Sequence, residues 1–428
     1  MTEVIEQIKV KEIKQGKEKR NVPRLRFREF KDEWKEKKLG SLGSFFKGNG
    51  LSKADLSYDG QECILYGELY TKYNEVITNI QSKTNLEDKN FIRSKINDVI
   101  IPSSGETAID IATASCVKKD NVILGGDLNV FRPNDVDGIF VSYQLNNQKR
   151  TEIAKIAQGA SVVHVYNEQL KKVKICITEI QEQKKIADFF SLVDKKIEKQ
   201  SEKVEALKTY KKGIMQKIFK QEIRFKDENG REYPEWEEKR LGDIGKTYTG
   251  LSGKTKEDFE TGNAKYITYM NVFKNIKIKS ELIDIVDIKD NENQNKVLEG
   301  DLLFTTSSET AEEVGMVSLC DKYIENLYLN SFCFGFRIKN LKINSNFIVY
   351  YLRSPKIRKK ISILAQGSTR YNLSKNELMK LAIEIPCIEE QTQIATFLCT
   401  IDERMDKEEK KLEELKVWKK GLLQKMFI

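Results

Sequence analysis

The chain predicts an α+β fold of two tandem globular modules joined by two long helices. The helices pair as an antiparallel coiled coil, and the whole forms a pseudo-two-fold internal repeat. Three observations lead there: a long helical stretch that occurs twice, a shared order of short motifs ahead of each copy, and a mixture of strand-like and helix-like runs inside each module.

Residues 180–219 and 388–427 align without a gap. The first carries Ile186, Phe190, Val193, Ile197, Val204, Leu207, Ile214 and Ile218; the second carries Ile394, Leu398, Ile401, Met405, Leu412, Leu415, Leu422 and Met426. Steps alternating between four and three residues mark the apolar seam of a coiled coil, here about five heptads long. At about 1.5 Å per residue each helix is roughly 60 Å long. Only Gln200 or Glu408, and Lys211 or Lys419, interrupt the seam. Two such helices in one chain bury their seams most economically against each other. One copy alone would read as an amphipathic helix on a globular core. However, Lys211, Lys212, Gly213, Gln216 and Lys217 recur as Lys419, Lys420, Gly421, Gln424 and Lys425, which predicts a shared outward-facing surface on a paired-helix spacer.

A chain of 428 residues is too long for one ordinary core. Its 74 basic and 65 acidic residues leave a formal charge of +9, compatible with a polyanionic partner. The seven cysteines (Cys63, Cys116, Cys176, Cys320, Cys333, Cys387 and Cys399) are scattered with no CxxC pair, and His164 is the single histidine. This pattern argues against a zinc site or disulfide framework and for a reducing, cytoplasmic setting. The charged N-terminal stretch is no signal peptide. No apolar run approaches the ~20 residues that cross a membrane.

In chain order, residues 1–22 read as a charged, frayed extension with some helical character. The first module follows over 23–178, the central helix over 179–222, the second module over 223–386 and the C-terminal helix over 387–428. The modules share Trp34 with Trp236, Leu39–Gly40 with Leu241–Gly242, and Gly50-Leu51-Ser52 with Gly250-Leu251-Ser252. Further on, the run from Asp98 to Ala108 matches Asp301 to Ala311, and Ala157-Gln158-Gly159 matches Ala365-Gln366-Gly367. Short β-branched or aromatic runs (Val99–Ile101, Val122–Leu124, Leu302–Phe304, Phe332–Phe336) predict strands. Val141–Ala157 and Phe347–Ala365 predict helices stopped near Gly159 and Gly367. The stretches 56–90 and 259–295 diverge while the long helices barely do, as in a common scaffold carrying two distinct readers.

Catalytic signatures are missing. Gly250-Leu-Ser-Gly253-Lys254-Thr255 imitates the end of a phosphate-binding loop, yet Tyr248 stands where the leading glycine belongs and the first module lacks Gly-Lys-Thr altogether. There is no Asn-Pro-Pro-Tyr or Asp-Pro-Pro-Tyr tetrapeptide for amino-methyl transfer, and no dinucleotide fingerprint.

Duplex recognition needs cations for phosphates and polar or planar groups for base edges. The loops supply both. In the first module the candidates are Lys47, Asn49, Ser52, Lys53, Ser103, Ser104, Glu106, Thr107, Ser161, His164 and Tyr166. In the second they are Lys246, Tyr248, Ser252, Lys254, Thr306, Ser307, Ser308, Glu309, Ser368, Thr369, Arg370, Tyr371 and Asn372. No catalytic or metal-ligating residue is assigned.

The motifs LRF…EW…LG (Leu25–Gly40, with a counterpart in Arg224–Gly242), the Gln-Gly loops at Gln158–Gly159 and Gln366–Gly367, Pro386-Cys-Ile-Glu-Glu-Gln391 and the repeated Lys-Lys-Gly…Gln-Lys resemble the specificity subunit of type I restriction–modification systems across essentially the full length. The first copy departs where Thr178 replaces the proline equivalent to Pro386. The resemblance implies two target-recognition domains, each reading one half of a bipartite, asymmetric site in double-stranded DNA. It also implies helices that act as a ruler and dock two modification (methyltransferase) subunits, with restriction/translocase subunits joining. On this reading the chain is a non-catalytic DNA-binding subunit without a cofactor of its own; S-adenosylmethionine, ATP and Mg belong to the partners, and no membrane is involved. The rival readings are a coiled-coil scaffold with no nucleic-acid role and a self-contained methyltransferase or nuclease.

Overall fold

The computed structural model describes residues 10–12, 21–88 and 90–428. It divides into two compact units, one formed by Met1–Ser201 with Lys410–Ile428, the other by Glu202–Glu409. The two long helices run Ile180–Phe219 and Ile388–Met426. Each contributes one half to each unit, so within a unit the first half of one helix lies against the second half of the other. In unit one the Phe190 and Phe427 rings are 5.9 Å apart. In unit two Lys203 pairs with Glu408 at 2.5 Å and Lys208 with Glu409 at 3.1 Å. The pairing is antiparallel, and every residue of the expected seam is buried or half-buried.

The globular parts, here called heads, repeat each other's sheet order with small differences. In head one the main sheet orders Gly43–Lys47, Leu128–Pro133, Val99–Pro102, Ser115–Val117 and Val76–Ile77. In head two the order is Gly245–Thr249, Cys333–Ile338, Leu302–Thr305 and Val317–Leu319, and Lys277 bridges Leu319 where the fifth strand would lie. A second, three-stranded sheet comes from Gln61–Ile64, Ser82–Thr84 and Ile123–Leu124 in one head, and from Phe259–Ile267, Ile283–Val286 and Leu327–Leu329 in the other. The divergent stretches thus build the same sheet twice.

Both predicted module helices are broken. Gly138–Asn147 is followed by Arg150–Ile156, and Ser345–Leu352 by Pro355–Ile363. Pro355 explains the second break, since it cannot donate within a helix but suits a first turn. Most of the 1–22 extension lies outside the described residues. Its Val10–Glu12 segment is strand rather than helix, paired antiparallel with Leu25–Phe27.

Each head is seated on the long helices by an aromatic cluster. Trp34 meets Phe140 at 5.4 Å and Phe427 at 6.2 Å; Trp236 meets Phe347 at 5.8 Å and Tyr351 at 5.9 Å, with Phe219 5.1 Å from Tyr351. Such rings bury large apolar areas and gain about 0.5–1.5 kcal/mol per well-oriented pair beyond that burial. Beside each cluster an arginine clasps a helix-opening glutamate. Arg26 holds Glu182 through two bonds at 2.6 and 2.7 Å, and Arg224 holds Glu390 at 3.2 and 2.9 Å. The next residue caps the head's own helix entry: Gln183 Oε1 accepts from Asp137 N, and Gln391 Oε1 from Asn344 N. The motifs Arg-Phe, Trp and Glu-Gln are therefore one joint seen from three places in the sequence.

The expected outward-facing lysine surface needs correction. Lys211 and Lys419 face inward, with side chains 11% and 16% exposed and acidic partners. Lys212, Gly213, Gln216 and Lys217 do face solvent.

Candidate nucleic-acid interface

A hairpin carries the candidate edge of each head. In head one, Gln158 and His164 bridge each other, and Val163–His164 pairs with Ser104–Gly105. In head two, Ala365–Gln366 pairs with Tyr371–Leu373, which pairs in turn with Ser307–Ser308. The turn needs glycine. Gly159 and Gly367 sit at φ +126° and +127°, where a Cβ would meet the carbonyl oxygen of Val162 at 2.0 Å or of Arg370 at 2.2 Å. By this register His164 corresponds to Asn372, and Val162 to Arg370.

The fold thus brings Ser103–Thr107 beside Ser161–Tyr166, and Thr306–Glu309 beside Ser368–Asn372. Lys47 joins the first group, its ammonium 5.6 Å over the Tyr166 ring, and the His164 and Tyr166 rings stack at 6.2 Å. In the second group the Arg370 guanidinium lies 5.4 Å over the Phe332 ring. Thr306 N donates to Phe332 O and Leu373 N to Thr306 O, tying hairpin and strand end together. Lys47, Glu106, Ser161, Tyr166, Glu309, Ser368, Thr369 and Arg370 are exposed; Tyr371 is half-buried and Asn372 exposed.

Other candidates are committed within the fold. Ser103, Ser104, Ser307 and Ser308 are buried. Thr107 caps the turn at Ala108 by accepting from Asp110 N. Asn49 clamps its own loop, donating to Asn90 O and accepting from Ile92 N. Ser52 is tied to Asp55, and Ser252 to Gln294. Lys254, with a 4% exposed side chain, is held by Glu292 at 2.6 Å and donates to Asp287 O. The Gly-Lys-Thr imitation is an internal tie, not a phosphate cradle. Tyr248 donates to Asp301 at 2.7 Å, and burial beside that carboxylate raises its pKa. Lys246 is exposed but pairs with Arg337 towards the far end of its strand from Phe332. Lys53 is exposed and stands outside the hairpin cluster.

Two contributors were not legible in the sequence. Phe332 reads as the first residue of a strand, yet the strand begins at Cys333 and leaves this ring 54% exposed. Arg358 grips the loop after Ser307–Ser308, donating to the carbonyls of Glu312, Val314 and Gly315 at 2.7, 2.5 and 2.8 Å. Burial without a carboxylate partner lowers its pKa to about 10. Among the described residues no cluster of three or more His, Cys, Asp or Glu could hold a metal ion, and no helix is long and apolar enough to cross a membrane.

Two copies of one recognition module, each mounted on paired helices and edged with cations, hydroxyls and aromatic rings, define a doubled recognition protein. A family model described as "Type I restriction modification DNA specificity domain" matches residues 31–208 and 233–417. The chain belongs to that family. It is 24% identical over 401 residues to the type I restriction enzyme MjaVIII specificity subunit of Methanocaldococcus jannaschii, covering 92% of this chain and 91% of that one. The fold is similar to the crystal structure of a type I restriction–modification S subunit from M. genitalium, with TM-score 0.60, 17% identity and 95% and 99% of the two chains covered. A chain solved in work on complex assembly and conformational transition of the type I system matches with TM-score 0.55 and 16% identity over 92% and 97%. The protein is a type I specificity subunit with two DNA-recognition domains, and not itself an enzyme.

Proposed function

We propose that each head reads one half of a bipartite, asymmetric site in double-stranded DNA through the face built on its Gln-Gly hairpin. The paired helices set the unspecified spacer and dock two modification subunits, and restriction/translocase subunits join that assembly. S-adenosylmethionine, ATP and Mg then belong to the partners, and the work is done in the cytoplasm, where the DNA is. The observation that carries this reading is the pair of equivalent hairpins whose backbones agree while their side chains differ, exposed Val162 and half-buried His164 against exposed Arg370 and Asn372. Cationic and planar groups at such an edge suit phosphates and base edges respectively.

The test is methylation-site mapping of the assembled complex. Arg370→Ala is expected to relax one half-site and leave the other and the spacer unchanged. Equal loss at both halves, or no change at either, overturns the assignment of one head to one half.

A further inference from the structure

The lysines that interrupt the seam lie in matching clusters, one in each unit. In unit one, Lys419 Nζ of the second long helix is 2.7 Å from Asp194 Oδ1 of the first and 3.1 Å from Glu75 Oε2 of the head. Tyr143 OH, on a head helix, donates to Asp194 Oδ2 at 2.5 Å, and the ammonium lies 5.3 Å from the centre of that ring. In unit two the rods exchange roles. Lys211 of the first long helix pairs with Asp402 of the second, Tyr350 OH donates to Asp402 Oδ2 at 2.6 Å, and the ammonium lies 5.2 Å from the Tyr350 centroid. Each cluster therefore joins both rods and a head through one carboxylate.

Such clusters are poor sources of stability, because desolvating the ions offsets much of their attraction. They are good sources of discrimination. A polar residue at a seam position tolerates one alignment of the helices, since any slip sets its charge against apolar neighbours with no partner. Burial opposes the Lys419 charge, yet Glu75 and Asp194 outweigh it and leave the lysine pKa raised. Burial, reinforced by Asp194, raises the Tyr143 pKa and keeps its hydroxyl a donor; burial and Asp402 do the same for Tyr350.

We propose that Lys211 and Lys419 are positioning residues that hold the long helices in a single register with each head seated on it, and so decide which spacer lengths the subunit accepts. The last clause rests on the reading that the helices set the spacer, and the test separates the two. Zero-length carbodiimide cross-linking of the full chain should join Lys203 to Glu408 and Lys208 to Glu409, the pairs already in contact. In K211M/K419M, folding is expected to persist. The native links should fall several-fold in favour of pairs a turn or more away, and the assembled complex should methylate sites of more than one spacer length. K211R/K419R should keep the native links and a single spacer. Undiminished native links in K211M/K419M overturn the register role whatever the methylation map shows. Displaced links with a single unchanged spacer overturn the spacer role and count against the ruler, while the register role stands. Should the double variant fail to fold, K211M alone gives the same readout at the unit-two cluster, beside both cross-linked pairs.

Discussion

The two hairpins are the sharpest comparison within the molecule. Both turn at a glycine in the left-handed region, within one degree of each other in φ, and both lie against a Ser-containing strand. On that common backbone head one displays Val162 and His164 with Lys47 stacked over Tyr166, whereas head two displays Arg370 and Asn372 with Arg370 stacked over Phe332. The backbone cannot change without losing the turn; the side chains at the tip can change freely because they are solvent-facing. If the hairpins are the reading edges proposed above, the two heads can diverge in what they read while their architecture stays the same.

The comparison extends to the joints, where the largest effect is expected. Arg26→Met leaves the fully buried Glu182 with the Thr178 hydroxyl as a donor, and Arg224→Met leaves the equally buried Glu390 with the Trp236 indole at 3.3 Å, but Arg26 is itself only 2% exposed against 15% for Arg224. Breaking a buried pair costs about 3–5 kcal/mol. Unit one, where the arginine is the more deeply buried of the two, should lose that much, and unit two less, in the urea dependence of hydrogen exchange. Equal losses would show that the difference in arginine burial does not matter.

Arg370→Ala is expected to cost about 1–3 kcal/mol of discrimination at one half-site, the worth of a good bidentate base contact. Grafting Ser368–Asn372 over Ala160–His164 should move the preference of head one towards that of head two. A graft that leaves both half-sites unchanged would place the readers elsewhere. Gly367→Ala and Gly159→Ala should each weaken binding at their own half-site by about tenfold or more, given the strain of the turn; competition binding of the assembled complex measures this.

The smallest effect is a pH dependence confined to unit two. The Lys356 ammonium, 2.9 Å away, holds the Glu384 carboxyl below its ordinary value of 4.5, helped by a bond from Gln221. A depressed carboxylate contributes stability that is present above its unfolded pKa and is lost as pH falls through the folded one. Lys356→Met should remove that acid sensitivity and cost only a few tenths of a kcal/mol at neutral pH, because the pair is about a third exposed. Acid titration of thermal stability tests it.

Most of the architecture was legible because it is written in periodicity and repetition. The seam from Ile186 to Ile218 alternates at the helix spacing regardless of context, and the duplicated order of Trp, Leu-Gly and Gln-Gly exposes the two heads. Fine partnerships were not legible. Lys211 looked like a surface lysine, because nothing local reveals that Asp402, far along the chain, will face it. Lys254 looked like a phosphate ligand until Glu292 closed on it. The candidate site was half visible: hydroxyl-rich loops announce themselves by composition, but only strand pairing decides which of them share an edge. Phe332 was hidden in a hydrophobic run whose first residue falls just outside the strand.

The interleaving of the long helices reverses the usual order of events during synthesis. Unit two is contiguous, Glu202–Glu409, and has all its parts before the last helical turns are made. Unit one, although its first part is translated earlier, lacks Leu422, Leu423, Met426 and Phe427 from its core until residues 410–428 have emerged from the ribosome. Until then Trp34 and Phe190 lack one of their ring partners, Phe427. A nascent chain from which all of Glu202–Glu409 has emerged, but Leu422–Phe427 has not, should therefore carry a finished second head and an unfinished first one, open to chaperones and proteases.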